Sequence, residues 1–87
     1  MPKITVTDTA QNLTLPNAKI VEFVNTGEST VYYGFEKTIT AADDANQGIP
    51  LEPGVNKFLS GKEICSRSIR FVCATGESTV IHYTKGA

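Results

Sequence analysis

The chain has 87 residues, with eight Lys and Arg against nine Asp and Glu for a net charge of −1, one His, two Cys and no Trp. That length holds one core, so residues 1–87 are expected to form a single domain, and folding buries only about 60–65% of the unfolded chain's surface, a position that partner subunits relieve. Balanced charge argues against a nucleic-acid partner, because phosphate neutralisation by Lys and Arg supplies most of such affinity, and only Lys62, Arg67 and Arg70 cluster.

Eleven Thr, seven Val and seven Ile stand against four Leu. Branching at Cβ stiffens χ1 in a way that suits strands and handicaps helices, so the chain reads as all-β. Lys3 to Thr7 alternates as a first strand with Ile4 and Val6 inward, and it contains no apolar stretch of signal-peptide length. Leu13 and Leu15 extend a second short strand ended by Pro16-Asn17. Two apolar runs, Ile20 to Val24 and Val31 to Phe35, flank Asn25-Thr26-Gly27-Glu28-Ser29-Thr30. Thr40 to Gln47 lacks β-branched residues after Thr40 and reads as a loop or one helical turn, and Pro53-Gly54 marks a turn. Val55 to Leu59 is a strand, Ser60-Gly61-Lys62 a turn, and Ile64 to Cys73 a further strand segment. No segment approaches the ~20 apolar residues that cross a bilayer as a helix, and no membrane partner is expected.

Thr26-Gly27-Glu28-Ser29-Thr30-Val31 recurs 49 residues later as Thr75-Gly76-Glu77-Ser78-Thr79-Val80. Each copy lies between two apolar runs, and Gly, Asn and Ser suit a short connection, so the repeats predict two similar β-hairpins. The expected fold is a small antiparallel β-sandwich or jelly-roll-like barrel of seven to nine short strands. Val31 to Phe35 and Val80 to Tyr83 are apolar on both parities. Both of their faces therefore need cover, one from the core and the other from a loop or a neighbouring subunit, which predicts a homo-oligomer or docking on a larger surface.

Catalytic material is sparse, and no catalytic residue, cofactor or metal site is expected. His82 sits within a strand, and a Cys-His nucleophile pair would need an orienting acid and a cleft. Cys65 and Cys73, with seven residues between them, match neither a zinc knuckle nor a CxxC pair; on one straight strand they would lie about 26 Å apart, so a disulfide would need an intervening turn and reduced structural thiols are expected. Asp43-Asp44-Ala45-Asn46-Gln47-Gly48 superficially suggests a calcium loop, but counting from Asp44 the Gly falls at position five and position twelve is Val55, where an EF-hand has Gly at six and Glu at twelve. Residues suited to a protein contact are Lys3 and Thr5 on the first strand, Tyr32 or Tyr33, of which alternation makes one core and one exposed, and Asp43, Asp44 and Asn46 on the loop.

Val24-Asn25-Thr26-Gly27, Thr30-Val31-Tyr32-Tyr33-Gly34, Gly48-Ile49-Pro50-Leu51, Pro53-Gly54 and Ala74-Thr75-Gly76 through Val80 follow one another in an order that resembles small all-β virion proteins of tailed bacteriophages. The likeness spans about residues 19–84; Ile64 to Ile69, with its cysteine, departs from the family pattern. The resemblance implies a cement or decoration protein on the outer capsid surface, made in the host cytoplasm, with the major capsid protein as partner. It carries over no catalytic residue. Two other functions fit the same residues: a tail or baseplate adaptor or host-attachment module, and a carbohydrate- or peptide-binding module using Tyr32 or Tyr33 and the Ala41 to Gly48 loop.

Overall fold

A computed structural model describes residues 2–86. Its strands are β1 (Lys3–Val6), β2 (Gln11–Leu13), β3 (Ile20–Asn25), β4 (Val31–Gly34), β5 (Ile49–Leu51), β6 (Asn56–Ser60), β7 (Ile69–Cys73) and β8 (Thr79–Gly86), with a helical turn α1 (Lys62–Cys65) before β7. Two antiparallel four-stranded sheets result, ordered β1-β8-β3-β6 and β2-β7-β4-β5, hereafter the β1 sheet and the β2 sheet.

The pairs β4·β5, β3·β6, β2·β7 and β1·β8 are successive rungs of one long hairpin, and rolling it up brings β3 against β8 and β4 against β7. This winding is that of a jelly roll, as the all-β reading anticipates. Alternate residues turn inward along each strand. Val6, Val21, Phe23 and Ile81 from the β1 sheet meet Leu13, Val31, Tyr33, Ile69 and Phe71 from the β2 sheet. At the centre the Phe23 ring stands edge-on to both Tyr33 and Phe71, each at 5.2 Å between centroids, and such pairs add about 0.5–1.5 kcal/mol beyond their buried area.

The repeats do not form the two expected hairpins. β3 and β4 belong to different sheets, as do β7 and β8, so each repeat is an arch that carries the chain from one sheet to the other. A short Gly- and Ser-containing connection serves either geometry; facing sheets let Phe23 pack across the core on Tyr33 and leave both edges of β3 free for β6 and β8. The two arches then lie side by side, with Thr26 N donating to Val80 O at 2.9 Å.

The segment expected to run as strand from Ile64 also differs. Gly61 takes a φ of +109°, Cys65 N bonds back to Gly61 O, and the strand starts only at Ile69. Cys65 and Cys73 are both free and buried, in different elements, with the Cys65 thiol against the carbonyls of Lys19 and Leu59.

Burial raises the Tyr33 hydroxyl pKa above its ordinary 10.0. Burial, followed by the nearby carboxylates Glu77 and Asp8, raises Cys73 above its ordinary 9.0. Both groups fold in their neutral forms, so the stability they contribute is fully present below the unfolded values and is lost as pH rises through the folded ones. Urea midpoints measured from pH 7 to 11 are expected to hold to about pH 9 and then fall; Cys73→Ala should delay the onset, and an unchanged onset would remove Cys73 from this account.

Candidate functional site

The residues expected to make a protein contact do not converge. Tyr33 is only 3% exposed and belongs to the core, so it is withdrawn as a surface residue; its parity on β4 points it at Phe23. Tyr32 lies half-buried on the opposite, outer face of the β2 sheet, level with Val72 and Pro50. Lys3 and Thr5 are exposed on the edge strand β1, opposite His82 and Val80. Asp43, Asp44 and Asn46 are exposed on the loop joining β4 to β5. There Asp44 Oδ1 accepts from Thr40 Oγ1 at 3.1 Å and from Asn46 N at 2.8 Å, so its carboxylate is used to shape the loop.

That loop folds onto the outer face of the β2 sheet. A Cβ on Gly34 would lie 2.7 Å from Ile39 Cδ1, and one on Gly48 would lie 2.7 Å from Ile39 Cγ2. Ile39 thus occupies space that two missing side chains leave, and Val72, pointing outward beneath this loop, is only 7% exposed. Here the second face of β4 is covered by the chain itself.

The outer face of the β1 sheet is a different surface. Ile20 and Phe58 are 44% and 55% exposed. The register places Phe58 of β6 diagonal to Val24 of β3, and Val24 diagonal to Val80 of β8, whose neighbour on β1 is Thr5. Diagonal neighbours on one face lie about 7–8 Å apart, within reach of large side chains, so Phe58 and Ile20, also diagonal neighbours, form an exposed apolar pair. Two polar pairs take the crossing diagonals: Asn56 Nδ2 donates to Glu22 Oε2 at 2.8 Å, between Phe58 and Val24, and Thr26 Oγ1 meets His82 Nδ1 at 2.7 Å, between Val24 and Val80. An exposed aromatic and aliphatic pair beside polar side chains already held to one another suits a protein contact.

Sequence reasoning missed Ile20 and Phe58, although a signal was present. Ile20-Val21 and Phe58-Leu59 are adjacent apolar pairs within strands; only one member of each faces the core, and the other must face out. Among the described residues no group of three or more His, Cys, Asp or Glu is placed to hold a metal ion. Protein-family models, curated proteins and solved structures were all compared with this chain, and none matches it.

Proposed function

We propose that the protein is a non-enzymatic structural component of a tailed-bacteriophage virion, a capsid cement or decoration protein that docks on the major capsid protein through the outer face of the β1 sheet. The observation that carries this reading is the exposed pair Phe58 and Ile20 on the outer face of the β1 sheet. The order of turns that resembles phage virion proteins supplies the class of partner. A jelly roll occurs in capsid proteins, lectins and enzymes alike, so the fold adds only compatibility.

The physical role is simple. Each docked copy adds one interface at a junction between capsid subunits, and repetition over the shell turns a modest affinity per copy into a large collective stabilisation. Particles lacking the protein are expected to lose heat or osmotic resistance, and unchanged resistance would count decisively against the reading. Quantitative mass spectrometry of purified particles should give on the order of hundreds of copies, whereas about a dozen or fewer would move the protein to the tail.

Phe58→Glu tests the surface itself. The side chain is more than half exposed, so its replacement is expected to leave stability within about 0.5 kcal/mol while abolishing retention on particles; full retention would overturn the assignment of this face. The same surface predicts self-association when no capsid is present, measurable by light scattering at micromolar concentration. A stable monomer that no assembly retains would remove both.

A further inference from the structure

The outer face of the β2 sheet is covered only in part. Between the loop at Ile39 to Ala42 and the second arch lies an open cleft of about 620 Å³, with Arg70 and Val72 of β7 on its lining and Asp8 also against it. That volume is in the range of small-molecule sites, about 300–1,000 Å³. Arg70 is the unusual member. It points outward from β7, level with Asn12 of β2 and Gly34 of β4, neither of which is acidic. Its Nε is buried with no hydrogen-bond partner, and among the described residues its guanidinium makes no hydrogen bond or ion pair.

A buried donor left unmade is costly, and each such case calls for an explanation. Beyond that Nε, a guanidinium presents its two Nη groups as a parallel fork that fits the two oxygens of a carboxylate. Asp8 does not provide them: its Oδ2 accepts from Gly76 N at 3.0 Å and is held to the arch. Asp8 does set the charge that the cleft tolerates. With one carboxylate and one cation on its lining, the cleft carries no excess positive charge, and Asp8 opposes a dianion such as phosphate more than a monoanion. Ile39, Ala41, Ala42 and Val72 give the cleft an aliphatic side, while Thr40 and Thr75 add hydroxyls to its lining.

We propose that this cleft binds a small aliphatic monocarboxylate, its carboxylate on the Arg70 guanidinium and its hydrocarbon body against Ile39, Ala41 and Val72. The proposal does not rest on the capsid reading, since it concerns the opposite sheet.

The test is a titration of the isotopically labelled full chain with isovalerate, followed by NMR. Saturable shifts are expected at the Arg70 side-chain Nε–H and at the amides of Ala41, Val72 and Ala74. Isovaleramide, of the same shape without the charge, should bind at least about tenfold more weakly, the loss expected when a charge-assisted hydrogen bond is removed. Arg70→Leu should abolish the shifts and melt no lower than the parent, because it removes the unmade donor. If that variant folds poorly, Ala41→Leu supplies the second arm by narrowing the cleft with Arg70 intact, and it too should abolish binding. Non-saturating shifts, equal binding of isovaleramide, or tighter binding of inorganic phosphate would each overturn the proposal.

Discussion

Replacing Asn25 with Leu is expected to lower the free energy of unfolding by about 3–5 kcal/mol, out of a total of about 4–13 kcal/mol for a chain of this length. Asn25 is fully buried at the end of β3, and all four of its hydrogen-bonding positions are used. Its Nδ2 donates to Ser29 O at 2.8 Å and to Leu51 O at 2.9 Å. Its Oδ1 accepts from Gly27 N at 3.2 Å and from Thr79 Oγ1. One side chain therefore ties together the first arch, the edge strand β5 and the start of β8. Leu has a similar volume and none of these bonds, so two carbonyls, an N–H and a hydroxyl lose their partner, each at about 1–3 kcal/mol where water cannot replace it. Asn25→Asp should be at least as damaging, since it removes both donors and places a charge in the core. Thr79→Val removes a single bond and should cost about 1–2 kcal/mol. Urea unfolding at constant m-value measures all three; a loss below about 1 kcal/mol for Asn25→Leu would show that the network does not hold the arch.

Strand positions were legible because branching and alternation are local properties: Ile4 and Val6 turn inward as their spacing requires, and Tyr32 and Tyr33 separate onto opposite faces. Pairing was not legible. Asn25 to Thr30 would join two strands in one sheet as readily as in two, and the choice depends on Phe23, Tyr33 and Phe71 meeting across the core, a contact between residues far apart in the chain. The candidate surface divides the same way. That one of Phe58 and Leu59 must face out follows from parity, but that Phe58 stays exposed while Val72 is buried depends on where residues 35–48 fold. The orphaned Arg70 had no signature in the sequence, because it is defined by the partner it lacks.

Gly27→Ala is expected to cost about 2–3 kcal/mol, and Gly76→Ala only about 1 kcal/mol, although the two glycines occupy the same place in identical hexapeptides. Gly76 takes a φ of +80°, with Glu77 N bonded to Ala74 O, which is the third position of a type II turn. A Cβ there would meet nothing within 4 Å, so its cost is conformational, and Asn, which tolerates positive φ, should cost less than Ala. Gly27 does not have positive φ among the described glycines. A Cβ on it would strike Thr79 Oγ1, with Val80 N at 2.7 Å and Thr79 Cα at 2.8 Å, because this is where the first arch presses against β8. Two of those three atoms are backbone and cannot turn aside. Removing the hydroxyl with Thr79→Ala should therefore fail to rescue Gly27→Ala, and a double variant within about 0.5 kcal/mol of Thr79→Ala alone would mean that the hydroxyl alone sets the limit. The arches also solve the capping of this glycine's N–H separately: Asn25 Oδ1 accepts from Gly27 N, whereas Ala74, at the matching position of the second copy, leaves Gly76 N to Asp8 Oδ2. One repeated sequence thus needs glycine for close approach in one arch and for backbone angle in the other, and the two alanine variants, measured side by side, read out that difference.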